Sequence, residues 1–376
     1  ATIEASDIVL MNDDLDNFEP VVKIIVIGVG GAGNNAVNRM IDEQISNVDF
    51  YVANTDKQAL SLSKAPNRLI LGENLTNGLG AGGEPNVGKE AAESSEADIR
   101  SIVKGANLVF IAAGMGGGTG TGAAPIIGKI AKEEGCLTIA IVTRPFHFEG
   151  NKKIQYSIDG LNNLKENVDG LIVVSNDKLL MNNGNNTISD AFSEADKVLA
   201  RSVRTVTDLI LMPSLINLDF ADVRNVLKDS GVTFIGFGEG EGENAAIQAA
   251  DSALSCPLIE QSICGAQRAI CHITYGPKVG LLACEECINR ITEASGNTLD
   301  IKFGMSENDQ LSDQMLVSII ASHYNNDIIF TAPSKDAFAI NKTINPIISN
   351  DDKKEDDSNK NEEADIIPNF LEGKSF

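Results

Sequence analysis

LVFIAAGMGGGTGTGAAPIIGKIAKE, residues 108–133, carries six glycines between Gly114 and Gly122. Glycine loses more backbone freedom on folding than any other residue, so this density marks backbone that something must approach closely. LVFIAAG (108–114) is an apolar run of strand length, and AAPIIGKIAKE (123–133) carries helical periodicity. A glycine turn between a buried strand and a helix start exposes N–H groups beside the positive end of the helix dipole, which makes an anion site. The same pattern recurs outward from this stretch. VVKIIVI (21–27) is a β-branched strand, followed by GVGGAGNN (28–35) and a helix through Val37, Met40 and Ile41. FYVANT (50–55), LTIAIVT (137–143) and LIVVSN (171–176) read as further apolar strands, and LGAGGEPNVG (79–88) leads into an acidic, Ala-rich helix. Apolar strands alternating with helices predict a parallel sheet covered on both faces.

Two glycine turns on parallel strands, with LGAGG (79–83) as a third, predict a polyphosphate held from several sides. Gly28, Gly30 and Gly33 also match the G-x-G-x-x-G dinucleotide fingerprint, and Asp56 stands where a ribose-binding acid is expected. NAD binding is therefore an alternative, although it leaves residues 114–122 unexplained. A Walker A reading of Gly83 to Lys89 fails, because Glu90 stands where Ser or Thr is required and no strand immediately precedes it.

The 376-residue chain is long enough for two packed domains and tails. Its net charge of −23 argues against direct binding of nucleic acid or anionic lipid. No apolar run reaches the roughly 18–20 residues that span a bilayer, and no signal-peptide pattern opens the chain. Residue 1 is Ala, so processing at the start stays open. The six cysteines are scattered, as expected of reduced thiols. In Cys284-Glu-Glu-Cys287, the stripe Leu281, Cys284, Ile288 and Ile291 places Cys284 on a core face; zinc would need partners from Cys264, Cys271 and His272. His147, His272 and His323 lie far apart and form no sequence cluster, and no metal-ligating set is assigned.

Residues 1–20 are acidic and aperiodic and read as a mobile arm. Residues 21–187 form the phosphate-binding domain, and 188–212 form one long helix with apolar residues every three to four positions. Residues 213–333 alternate between helices and strands as a second, smaller domain. Residues 334–364 are an acidic linker, and 365–376 (DIIPNFLEGKSF) are either a frayed end or a docking peptide.

GGGTGTG (116–122) resembles the signature loop of the tubulin/FtsZ superfamily. GVGGAGNNAVNRM, VANTD, GLGAGG, FIAAGMGGGTGTGAAP, FEG and NLDFADV, in that order, resemble the bacterial FtsZ family over residues 21–330. The resemblance implies a parallel-sheet GTP-binding domain, a long central helix and a smaller α+β domain. It implies a cell-division GTPase with GTP/GDP as its nucleotide and Mg2+ bound mainly through the phosphates. Gly30, Gly31, Gly33 and Asn35 would line the nucleotide from the first loop, and Ala81 and Gly82 would approach the γ-phosphate. Gly116, Gly117, Gly118, Thr119, Gly120 and Thr121 would wrap the phosphates. Glu149 would touch the ribose. Asn176, Phe192 and Asp196 would recognise guanine, with the carboxylate accepting from N1–H and N2–H. Read without the family, Phe192 is a core side chain of the long helix.

Asp219 and Asp222, read alone, are the N-cap and N3 residues of a helix. The resemblance makes them the acids that position the attacking water in the pocket of the next subunit, with Asn217 nearby. Such a head-to-tail contact builds open filaments of the division ring in the cytoplasm, or in an organelle of bacterial descent. A filament-forming homologue with weak turnover is the alternative within the family. The tail, 365–376, would bind membrane-tethering division proteins without inserting into the membrane itself. Three departures stand out. Lys153 occupies the place of an arginine aimed at the nucleotide, a point charge instead of a planar fork. Tyr275 replaces a glycine, which would strain the turn if its φ had to be positive. DIIPNFL carries one Ile more than the family's docking peptide, and Glu372 and Gly373 stand where basic residues are usual.

Overall fold

In the computed structural model, residues 22–178, 187–211, 215–216, 218–255, 259–296, 299–325 and 327–332 are described. The tails, Cys256 and Asn217 lie outside them. The described chain up to Ala332 belongs to one compact unit.

Its larger sheet has seven parallel strands: β1 (Ile24–Val29), β2 (Asp49–Asn54), β3 (Asn67–Ile70), β4 (Leu108–Gly114), β5 (Leu137–Arg144), β6 (Gly170–Ser175) and β7 (Gly231–Val232). They lie in the order β3-β2-β1-β4-β5-β6-β7. The apolar runs are uninterrupted because both faces are covered. In β4, Leu108, Phe110 and Ala112 enter one apolar cluster, whereas Val109, Ile111 and Ala113 enter the other. Two strands were not expected from the sequence. The β3 strand lies at the sheet edge, half exposed and carrying Asn67 and Arg68, so it lacks an apolar signature. The β7 strand is two residues long and comes from beyond the long helix, pairing Gly170 with Gly231 and Leu171 with Val232.

Helices α1 (Gly30–Asp42), α2 (Lys57–Ser61), α3 (Glu73–Thr76), α4 (Pro85–Ser94), α5 (Glu96–Val103), α6 (Thr119–Glu133) and α7 (Asn151–Asn167) connect these strands. The long helix, α8, runs from Ile188 to Leu211. Its buried Leu199, Val203 and Val206 belong to the same apolar cluster as Phe234, Ile270 and Ile320, so one core continues from the larger sheet into the smaller. After it comes α9 (Phe220–Leu227).

The second sheet is mixed: β8 (Phe234–Glu241), β9 (Ala266–Tyr275), β10 (Asp300–Glu307) and β11 (Gln314–Tyr324), in the order β10-β9-β11-β8. Only β10 and β9 pair in parallel. Helix α10 (Ala245–Leu254) lies almost on the backbone of β8: a Cβ at Gly238 would stand 1.9 Å from the Ala249 carbonyl oxygen. Alternate glycines in β8 thus face small residues spaced by one helical turn. In α11 (Leu281–Ser295) the buried residues are Cys284, Cys287, Ile291 and Ser295. Cys284 does face the core, but Leu281 is 80% exposed, so the buried stripe lies one position round from the expected one. Burial pushes the Cys287 thiol up to about 12. Tyr275 ends β9 without a left-handed backbone, so the condition that would have strained it is not met. None of the described helices is long and apolar enough to cross a membrane.

Candidate functional site

Four parallel strands end at one cleft of about 270 Å³. Val29 closes β1, Gly114 closes β4, Thr143 stands one residue before the end of β5, and Asn176 follows β6; all four line it. The chain runs from β1 to β2 on one side while β4 lies on the other, so the cleft sits at the point where strand order reverses. Open α/β sheets bind ligands there, beyond the carboxyl ends of their strands.

Two helices start at this cleft. No separate turn intervenes between Val29 and α1, and Gly30 adopts φ +72°. The other helix, α6, begins at Thr119 with Gly118 as its N-cap. The first-turn N–H groups of both are unpaired within their helices and present positive partial charge. Positions Gly31 and Gly117 face open space, where a Cβ would meet nothing within 4 Å. The other glycines of residues 114–122 serve a different need. A Cβ at Gly114 would lie 2.6 Å from Ala32 Cβ, at Gly118 2.9 Å from Ala81 Cβ, and at Gly122 1.9 Å from the Pro85 carbonyl oxygen. Most of that glycine density therefore allows three loops and α4 to pack closely against one another, and Gly117 is bare toward open space.

Of the residues expected at the site, Gly30, Gly31, Gly117, Gly118, Thr119, Gly120, Glu149, Lys153, Asn176, Phe192 and Asp196 line the cleft together. Gly33, Asn35, Ala81, Gly82, Gly116 and Thr121 do not. Gly33 packs α1 on the sheet, since a Cβ there would stand 2.3 Å from the Ala112 carbonyl oxygen. Asn35 is exposed on α1. The Thr121 hydroxyl accepts from the Gly116 N–H at 2.8 Å and holds the loop's own shape. Ala81 and Gly82 belong to the third loop, which abuts Gly118.

The cleft has two chemically distinct ends. At one, Phe192 is 41% exposed on α8 and is braced edge-on by buried Phe146, ring centroids 5.0 Å apart. Asp196, one helical turn on, is half-buried, and burial raises its carboxyl to about 6 against the opposing pull of Arg39. Asn176 is 4% exposed, and its Oδ1 has no hydrogen-bond partner. An aromatic face, a half-buried carboxylate and an orphaned amide oxygen suit a planar heterocycle carrying N–H donors. At the other end lie Gly31, Gly117, Gly118 and Thr119, which suit phosphate oxygens. Lys153 Nζ donates to Glu149 Oε2 at 2.9 Å, and Glu149 Oε1 accepts from the Phe146 N–H at 2.9 Å. Glu149 thus fixes the short turn His147–Glu149 and neutralises the lysine beside it.

Sequence reasoning passed over Asn34 and Thr55. In the amide orientation its neighbours require, buried Asn34 donates to the Gly30 and Gly28 carbonyls at 2.9 and 3.1 Å and accepts from Asn54. The Asn-Asn doublet after the first loop is the only signal for it in the sequence.

The two acids stand elsewhere. Asp219 caps α9 and accepts from the Asp222 N–H at 2.8 Å, and Asp222 Oδ2 accepts from the Asp219 N–H at 3.3 Å. Lys302 of β10 pairs with Asp222 and holds its carboxyl below the usual carboxylate range. Neither acid lines the cleft of its own chain. No group of three or more His, Cys, Asp or Glu side chains able to hold a metal occurs among the described residues.

Residues 23–184 match the family model described as the Tubulin/FtsZ family, GTPase domain, and residues 231–325 match the FtsZ family, C-terminal domain. The chain is 49% identical over 309 residues to the cell division protein FtsZ of Mycoplasmopsis pulmonis, covering 82% of this chain and 79% of that one. It superposes on an empty FtsZ dimer structure from M. jannaschii with a TM-score of 0.74 and 36% identity, over 85% of this chain and 93% of the other. At the level of fold alone it also matches the GTPgS-bound protofilament of CetZ2 from Haloferax volcanii, with a TM-score of 0.68 and 21% identity over 82% and 95% of the two chains. The seven-stranded sheet, the second mixed sheet and both family matches agree: the chain belongs to the FtsZ family of tubulin-like proteins.

Proposed function

We propose that the cleft holds GTP or GDP, with the base between Phe192, Asp196 and Asn176 and the phosphates on the amides of the first and second glycine loops. Membership of the FtsZ family makes the chain a cell-division GTPase that forms filaments. The observation that carries the nucleotide assignment is the partnerless Oδ1 of buried Asn176 in the same cleft as the raised carboxyl of Asp196. Guanine offers two adjacent N–H donors to such acceptors; adenine lacks that pair. In this reading residues 21–187 hold the phosphates and, through Asn176, one edge of the base, 188–212 join the halves and present Phe192 and Asp196 to the base, and 213–333 supply the acids. Magnesium, held mainly through phosphate oxygens, would neutralise charge on the phosphoryl group.

Hydrolysis is assigned to Asp219 and Asp222, with Asn217 beside them, acting in the cleft of a neighbouring copy. Supporting this, both acids lie outside their own chain's cleft, and Asp222 is held ionised by Lys302. A carboxylate fixed as an anion can position and polarise an attacking water by accepting its hydrogen bond. A contact between a cleft on one copy and a loop on the next is heterologous, so it propagates as an open filament. Residues 365–376 are assigned to membrane-tethering partners at the division site in the cytoplasm, with no nucleic acid involved.

Phosphate release by Asp222→Ala tests the split site. Its turnover should fall by at least about tenfold while GTP still binds. Turnover at the parental rate would show that Asp222 takes no part.

A further inference from the structure

Thr55 follows β2, contributes nothing to the cleft surface, and is fully buried at 0% exposure. Its Oγ1 lies 2.7 Å from Oγ1 of Thr119, the first residue of α6 and part of the cleft lining. Among the described residues, neither hydroxyl has another hydrogen-bond partner. Two hydroxyls in contact share one proton between them and leave the second free. A proton of Thr55 turned away from Thr119 would be buried without an acceptor, which is costly. Thr119 is 9% exposed and belongs to the cleft lining, so a ligand there can accept the proton it turns away from Thr55. Either hydroxyl could donate in this contact, and the deeper burial of Thr55, 0% exposed against 9% for Thr119, favours Thr55 as the donor.

The backbone of Thr55 ties in the third loop. Its carbonyl accepts from the Gly80 N–H at 3.1 Å and from Thr76 Oγ1 at 3.3 Å. The residue before it, Asn54, reaches Asn34, whose amide holds the carbonyls of the first loop. Residues 54–55 thus join all three glycine loops by hydrogen bonds made beneath the cleft.

We infer that Thr55 is a positioning residue for the nucleotide: it commits the Thr119 hydroxyl to donate into the cleft, toward a phosphate oxygen, and holds the third loop in register with the second. This rests on the cleft being the GTP site.

The test is GTP binding by titration calorimetry, in magnesium, with the full chain and four variants. Thr55→Val keeps the shape and removes the donor, and should weaken GTP binding by about three- to tenfold. Thr55→Ser, which keeps the hydroxyl, should restore it. Thr119→Val removes a donor to a charged oxygen and should cost at least about tenfold. Because Thr55 acts through Thr119, the double variant should bind no more weakly than Thr119→Val alone. Parental affinity for Thr55→Val, or losses that multiply in the double variant, would overturn the inference. If Thr55→Val does not fold, Thr119→Val decides: parental affinity there refutes it. Failure of the parent chain to bind GTP would instead refute the nucleotide assignment.

Discussion

Protonation of Asp196 should act on nucleotide binding and on folding in opposite directions. Burial raises its carboxyl to about 6, and Arg39 only partly opposes the shift. Guanine N1–H and N2–H need the ionised carboxylate as acceptor. With a pKa near 6, about nine-tenths of the sites are ionised at pH 7 and about one-tenth at pH 5, so affinity should fall roughly tenfold between them. A carboxylate at the ordinary value of about 3.9 would lose less than about a tenth of its ionised form over that range. The nucleotide's own phosphates also titrate, so Asp196→Asn is the reference: it should bind weakly, with only the ligand's dependence on pH.

Folding behaves in the reverse sense. An acid whose folded pKa is raised binds more protons in the folded than in the unfolded chain between about pH 4 and 6, so stability falls as pH rises through that window. The penalty is fully present above about pH 6. Asp196→Asn should therefore raise the thermal midpoint at pH 7, and the gain should shrink at pH 5. The assay is calorimetric GTP binding at both pH values beside thermal unfolding without nucleotide. If parental affinity at pH 5 and 7 differs only as the Asn variant's does, Asp196 is not the guanine acceptor. If the Asn substitution lowers the midpoint at pH 7, the burial argument fails.

Gly122→Ala opposes helix propensity to packing. Propensity alone favours Ala by about 1 kcal/mol, but the new Cβ would stand 1.9 Å from the Pro85 carbonyl oxygen and 2.6 Å from the Lys89 nitrogen. Prising α6 from α4 should leave a net loss of about 1–3 kcal/mol in urea unfolding, and any stabilisation would contradict the close contact. Phe192→Ala should weaken GTP binding by about 1–3 kcal/mol, the scale of base stacking on an aromatic ring. Its unfolding midpoint should hardly move, because that side chain is 41% exposed; a large drop in stability would restore Phe192 to the core.

Several features of this protein are legible in the amino-acid sequence itself. Parallel strands buried on both faces need apolar side chains at every position, so β1, β4, β5 and β6 announce themselves, as does the amphipathic helix α8. The glycine loops were visible for the same local reason, and the order of the motifs named the family. Edge strand β3 and the two-residue β7 were not visible, since their pairing is supplied by neighbours distant in sequence.

Which glycine serves which purpose is likewise non-local. Gly117 faces open space while Gly122 faces the backbone of α4, and nothing in GGGTGTG distinguishes them. Folding also decides that Phe192 stands at the cleft instead of in the core. It brings Thr55 beneath Thr119, sixty-four residues away, and places Asp219 and Asp222 away from their own chain's cleft. Residue type and spacing determine strands, helices and loops because those follow from local sterics and the pattern of burial. The direction of a hydroxyl proton, the pKa of a carboxyl and the space beside a glycine depend on what the rest of the chain packs there, and only the tertiary structure decides them.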